Sequence, residues 1–368
     1  RSQRRLAIAV WATGFAAGGA IGPIVGGVLL EHVFWGSIFL IAVPFLLPLL
    51  VLAPVLVKES RDPSPGAFDV ISILLSMLTF APVVFAIKHA ATVGFDLVTV
   101  AAALLGIAAG FLFVRRLLTP RNPRLDVRLF AVPAFSGSVL VNLLSVFSFV
   151  GLLYFLAQHL QLVLGMSPLE AGLMLIPGTV AMVVASLLVV RWVRVVPPAV
   201  LMAIGLALAA SAHLTFALTG GHGPLVLIIG AFAALSVGIG MAETLSNDII
   251  VASVPPAKAG AASAVSETAY ELGAVLGTSV LGGILAASYA ANLVLPAGLT
   301  ATEQSEASQT LAGALTVADG LPSAVGETLI DSARTAFDSG IVMTSTVGAL
   351  LMAGAVVLAL RTVRGQRA

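Results

Sequence analysis

Four carboxylates stand inside stretches that are otherwise apolar: Glu243 and Asp248 in one, Glu267 and Glu271 in another. A charged carboxylate at bilayer depth costs about 2.5–3.5 kcal/mol on insertion scales. Such a group must face a wet cavity, take up a proton, or meet a cation. Removal from water penalises the charged form of an acid, so a proton and a cation compete for one group. Glu267 and Glu271 are four residues apart and share a helix face. Counted from Ala261 at ~1.5 Å per residue, Glu271 lies ~15 Å deep and Glu267 about a turn shallower. Tyr270 beside them offers an aromatic face to a cation. A structural hydrogen bond between helices is the plainer alternative for both acids.

The other polar groups divide less sharply. Glu243 and Asp248 lie toward the inner end of their helix, next to Asn247. Asp248 reads as a cytoplasmic gate or as a solvated interfacial charge, and Glu243 is evenly poised between site and structure. Asn142, in mid-helix, either lines a cavity or bonds to a neighbouring helix. Glu170 reads as a favourable charge at a helix start. Gln158, His159 and Gln161 cluster at an outer helix end, where solvation suffices to explain His159. Lys88 also sits at an outer end, which leaves no basic residue within a helix interior to neutralise the acids.

The elements that position these groups follow from composition. The 368 residues are 59% apolar and 10% charged, with a mean hydropathy of +1.09, which excludes a soluble protein. With breaks at Pro, Gly and polar clusters, ten spans emerge, at roughly 6–30, 36–57, 69–89, 95–115, 131–160, 169–190, 197–218, 224–250, 260–288 and 339–361. Cysteine is absent, which excludes disulfides and thiol-ligated metals.

Basic residues set the orientation. With the N-terminus in the cytoplasm and each span crossing once, 16 of the 18 Lys and Arg residues fall inside. Only Lys88 and Arg334 fall outside, as the positive-inside rule requires. The formal charge of +1 therefore points to no nucleic-acid partner; the basic groups are anchors at anionic headgroups.

Three blocks follow along the chain. Residues 1–62 hold two helices, 63–128 hold two more and a basic inner loop at Arg115–Arg128, and 129–368 hold six. Between the last two spans lies an acidic outer segment, 292–338, with Thr300 and Glu303 at capping-box spacing. Leu311 and Leu315, then Val325, Leu329 and Phe337, suggest two short amphipathic helices forming a hairpin, with Pro322 near the second one's start. A flexible acidic loop is the alternative.

The first span carries Gly14, Gly18, Gly22 and Gly26 at every fourth residue, with Pro23 and Gly27 between and beyond. On a helix this spacing drifts only ~40° per step. The result is a slanted groove into which a neighbouring backbone fits, bent at Pro23. The pattern resembles the antiporter motif on the fifth helix of drug:proton exporters in the major facilitator superfamily.

Other phrases extend the resemblance to nearly the whole chain, in particular to the 14-helix, quaternary-ammonium (Qac-type) branch. Trp35–Pro44 is similar to the start of helix six, although Ala42 stands where that family often carries Asn. Asn122–Phe130 resembles the loop entering helix nine, and Leu164–Leu173 the turn into helix ten. Ala259–Gly273, with Glu267, Tyr270 and Glu271, resembles the acidic helix thirteen.

The resemblance implies an all-α polytopic membrane protein of the major facilitator fold, with about ten transmembrane helices of an original fourteen. The chain is then expected to be a fragment holding helices five to fourteen. Helices one to four, with the family's first-helix carboxylate and helix-four arginine, lie outside it. It also implies Glu267 and Glu271 as substrate- and proton-linked acids near the midplane, where such proteins bind their cargo. The expected activity is export of lipophilic cations by a monomer in a bacterial cytoplasmic membrane. The proton gradient is the energy source, and no cofactor or metal is needed.

Competing classes find little support. None of the three lysines completes a nucleotide-binding Walker motif, and HExxH and GxSxG are both absent. A channel or receptor fits the asymmetric helices and kinked glycine groove poorly. The alternative within the same fold is export of a lipid, siderophore or other metabolite.

Overall fold

The computed structural model describes residues 18, 22, 25–56, 69–92, 94–118, 127–254 and 259–363. Among them every regular element is helical, and nine stretches are long and apolar enough to cross a membrane. These nine coincide with the second to tenth expected spans. The first, 6–30, lies mostly outside the described residues.

Helix α1 (25–32) turns through Trp35 into α2 (Ser37–Leu40) and α3 (Val43–Leu56). Helix α3 buries none of its residues, as expected of a segment apolar on every side, whose solvent is hydrocarbon.

Helices α4 (Val70–Thr92) and α5 (Leu97–Leu117) form a hairpin. Gly106 on α5 lets the two backbones approach, since a Cβ there would stand 3.0 Å from the Thr79 carbonyl oxygen of α4. At the cytoplasmic end Arg116 donates to both oxygens of Asp69, with Nη2 at 3.0 Å from Oδ1 and Nε at 3.2 Å from Oδ2. Arg116 and then Ser72 hold the Asp69 carboxyl well below the usual carboxylate range. At the outer end the Asp96 carboxylate caps α5 by accepting from the Thr99 amide at 2.8 Å.

The remaining helices build one core. Helix α6 (Pro133–Gln158) runs on into a π-helical turn, His159–Val163. Helix α7 (Pro168–Trp192) starts with a capping box in which Ser167 and Glu170 satisfy each other's amides; Glu170 is thus a cap as well as a favourable charge. Helix α8 (Pro198–Thr219) ends at Gly220 in the left-handed region, and α9 (Leu225–Ala252) returns to the cytoplasmic side. Helix α10 (Ala259–Leu276), a π-helical turn (Gly277–Leu281) and α11 (Gly282–Asn292) form one continuous crossing. Phe155, Leu206, Phe216, Phe232, Leu235 and Ile341 fill the space between α6, α8, α9 and the last helix.

The outer acidic segment differs from the expected hairpin. Helices α12 (Ala301–Gln309) and α13 (Leu311–Asp319) are present, the first with the expected Thr300–Glu303 capping box. The second expected amphipathic helix is instead the start of α14 (Ser323–Thr362), which runs unbroken into the membrane for 40 residues. At ~1.5 Å per residue that is ~60 Å, about twice the hydrocarbon thickness. Nothing after Pro322 interrupts it, so propensity carries the helix straight through the interface.

The segment is not a loose loop. The Tyr289 hydroxyl donates to the Ala307 carbonyl at 2.8 Å, and Ser332 Oγ both donates to and accepts from the backbone of Val294.

Replacing Asp69 by Asn should loosen the cytoplasmic end of the α4–α5 hairpin. The readout is faster amide hydrogen exchange over residues 69–76. Acid should mimic the substitution. A carboxyl whose folded pKa is depressed contributes stability above its unfolded pKa and loses it as pH falls through the folded value.

Candidate functional site

Helix α10 is pressed against α6 along its small residues. A Cβ on Gly273 would lie 2.5 Å from the Leu143 carbonyl oxygen, and one on Gly277 2.5 Å from that of Phe147. The same face carries Ser266, which is 4% exposed. Asn142 Nδ2 donates to Ser266 Oγ at 2.9 Å and to the Ser266 carbonyl at 3.2 Å. Ser266 Oγ donates in turn to Asn247 Oδ1. One hydroxyl therefore joins α6, α9 and α10. Asn142 is 1% exposed and lines neither cavity described below; of the two expectations for it, the interhelical bond is the one observed.

With Ser266 fixed inward, Glu267 and Glu271 stand about 100° and 140° round the helix and are exposed. They face a cavity of about 730 Å³. Tyr270 is half-buried between the two faces, and Glu243 on α9 is half-buried as well. Tyr270 is within electrostatic reach of Glu243, Glu267 and Glu271, and Glu243 within reach of Glu267. The fold thus gathers all four groups from two helices. Asp248 is exposed, four residues before the inner end of α9, apart from the cavity lining.

The opposite wall of the cavity was not anticipated. It is α4, which contributes Phe80, Ala81, Val84, Phe85 and Lys88. Lys88 is therefore more than an anchor at an outer end, since it lines the same space as the two acids. A lone lysine on the face of two phenylalanines, in a helix otherwise free of charge, is the signal that could have marked it.

A second cavity, of about 340 Å³, lies at the outer side, lined by His159, His222, Asp331, Arg334 and Asp338 among others. His222 Nε2 is 3.1 Å from Asp338 Oδ2, and His159 Nδ1 is 3.9 Å from Asp338 Oδ1. His159 is only 2% exposed, so outer-edge solvation does not account for it. It stands where α6 passes into the π-helical turn, under the α8–α9 turn. Gly221 covers it at a φ of +84°, where a Cβ would stand 2.7 Å from the imidazole.

The glycine stripe is met by a neighbour at one end. Gly14 and Pro23 lie outside the described residues. At Gly18, Gly22 and Gly26 no described atom stands within 4 Å of where a Cβ would be. At Gly27 a Cβ would lie 2.7 Å from Leu169 Cα and 3.1 Å from the Pro168 carbonyl oxygen. Close packing expected along the whole stripe is thus found where α1 crosses the start of α7. A stripe that drifts ~40° per step meets a crossing helix over a short zone only.

Comparison with known proteins agrees with this architecture. The chain matches the Major Facilitator Superfamily over residues 1–278. The chain belongs to that family. It is 52% identical over 354 residues to the multidrug efflux pump LfrA of Mycolicibacterium smegmatis, covering 96% of this chain and 70% of that protein. It is 34% identical over 378 residues to the methyl viologen resistance protein SmvA of Salmonella typhimurium, covering 99% and 74%. The tetracenomycin C resistance and export protein of Streptomyces glaucescens is 32% identical over 367 residues, covering 96% and 67%.

As a member of this superfamily the protein is a multi-pass component of a bacterial cytoplasmic membrane. Its acids, its inner carboxylate Asp248 and its glycine contact then occupy one transporter body.

Two substitutions test the geometry. Ser266→Ala removes the hydroxyl that links Asn142 on α6 to Asn247 on α9; each lost hydrogen bond costs about 0.5–1.5 kcal/mol. A lowered melting temperature in detergent should follow, larger than that of Ser263→Ala on the exposed face. Gly27→Val drives a branched side chain into the Leu169 backbone. Normal membrane insertion with an increased passive proton leak is expected, read as faster collapse of an imposed pH gradient in vesicles.

Proposed function

We propose that this protein is a secondary active exporter that moves lipophilic cations, such as quaternary ammonium compounds and dyes, out of the cytoplasm in exchange for protons. The observation that carries the reading is the pair Glu267 and Glu271, one turn apart, facing an apolar cavity at mid-depth. Tyr270 stands within electrostatic reach of both, and Glu243 within reach of Glu267. Two relatives whose printed names are those of a multidrug efflux pump and a methyl viologen resistance protein support it.

The chemistry is competition. Carboxylates in apolar surroundings accept either a proton or an organic cation, because each neutralises the charge. The cavity is of drug-sized volume, and its walls hold an apolar body while the acids hold its charge. Tyr270 and the phenylalanines add aromatic faces to which cations are attracted. On the outer side protons load the acids and release the cation; on the cytoplasmic side deprotonation prepares them for the next one. Asp248, exposed near the inner end of α9, draws cations toward the inner mouth as a gate.

Access alternates by rocking of helical bundles around this fixed site. The close contact between Gly27 and Leu169 keeps the outer seam shut when the site faces inward. The proton gradient is the energy source, and no organic cofactor or metal takes part.

Everted vesicles carrying the protein should take up ethidium when an inward-acid gradient is imposed, and should release protons when ethidium is added. Glu271→Gln should reduce both by at least about a hundredfold, the loss of a charged pairing worth ~3 kcal/mol. Unchanged drug-induced proton release from that variant would reject the assignment.

A further inference from the structure

We propose that α4 is a working wall of the cation site, and that Lys88 on it sets the site's net charge so that singly charged lipophilic cations are preferred over doubly charged ones. This rests on the cation-export reading above.

The first ground is geometric. Across the cavity α4 presents Phe80, Ala81, Val84, Phe85 and Lys88, and α10 presents Glu267, Thr268, Glu271, Leu272 and Val275. Both sets run i, i+1, i+4, i+5, i+8, which is one continuous face of a helix. Two parallel faces of the same length therefore confront each other over about 730 Å³, within the range of small-molecule sites. Toward the outer side α4 packs on the π-helical turn Gly277–Leu281 and on α11. Along α10 it stands off across the cavity.

The second ground is charge. The lining holds two carboxylates and one ammonium; every other lining residue except Thr268 is apolar. Asp248 and Glu243 are not among the lining residues. With both acids ionised the cavity carries one net negative charge. One proton or one monovalent cation neutralises it, whereas a dication leaves an uncompensated positive charge in apolar surroundings, where electrostatic interactions are strong. With Lys88 in the lining, a single proton or a single monocation is enough to bring its charge to zero. Phe80 and Phe85 hold the aromatic or alkyl body on the wall opposite the acids.

The test uses the absence of cysteine from the chain. In membranes, the double variant Val84→Cys, Leu272→Cys should be joined by a short bis-maleimide. Excess tetraphenylphosphonium should slow the reaction. Absence of cross-linking would overturn the placement of α4 whatever the transport result.

In everted vesicles, Lys88→Gln and Lys88→Met should each raise uptake of dicationic methyl viologen relative to monocationic tetraphenylphosphonium by about tenfold or more, and Lys88→Arg should keep the wild-type ratio. Cross-linking with an unchanged ratio in both neutral variants would overturn the role of Lys88. Wild-type vesicles that carry neither cation would reject the export reading itself; cross-linking would then still decide whether α4 faces the acids.

Discussion

The seating of α10 on the backbone of α6 governs the direction of every charged group in the membrane interior. Gly273 and Gly277 remove the side chains that would hold the two helices apart. Carbonyl oxygens of Leu143 and Phe147 occupy the vacated space. A helix held that closely has no freedom to rotate, and Ser266 pins the rotation through Asn142 and Asn247. Such interhelical hydrogen bonds are individually modest in bilayers, so the small-residue contact supplies the fit and the polar chain supplies the register. Glu267 and Glu271 then face the cavity because the opposite face of the helix is already committed.

The cost of that arrangement is borne by the surroundings. Two carboxylates at mid-depth need water, a proton or a cation. The structure meets this with a cavity beside both acids and with Lys88 on the facing wall. The α4–α5 hairpin is held at its ends by Asp69–Arg116 inside and His89–Thr99 outside. Its middle, where Gly106 meets Thr79, packs tightly enough that α4 serves as a stiff panel. The wall opposite the acids is thus carried by a unit whose own stability does not depend on the site.

At the outer side a different principle operates. Helix α14 continues about twice as far as a bilayer requires, and its projecting part is clasped by α13 and the Val294 backbone. Asp338 sits where the projection meets the bundle, pairs with His222 of the α8–α9 turn and lies 3.9 Å from the buried His159 at the end of α6. Three helix ends converge on one carboxylate, so movement of any of them is felt by the others.

How much of this was written in the chain depends on the range of the interaction. Apolar runs separated by Pro, Gly and charge placed eight of the nine described spans to within a few residues, and the inner end of the ninth, because hydrocarbon accepts only helices there. The positive-inside bias oriented them, and a spacing of four placed Glu267 and Glu271 on one face. The capping box at Thr300 was likewise legible, being set by residues three apart. What escaped the sequence were pairings between distant segments. Lys88 lies 179 and 183 positions from the two acids whose cavity it shares, and no local periodicity connects them. His159 read as a solvated edge because its burial is decided by Gly221 and Asp338. Asn142 could have lined a cavity until Ser266 was seen beside it, and the glycine stripe could not say which neighbour it would meet. Composition and spacing determine what a helix is and which face is polar; only tertiary packing decides what that face confronts, because rotation and crossing angle are set by contacts between helices.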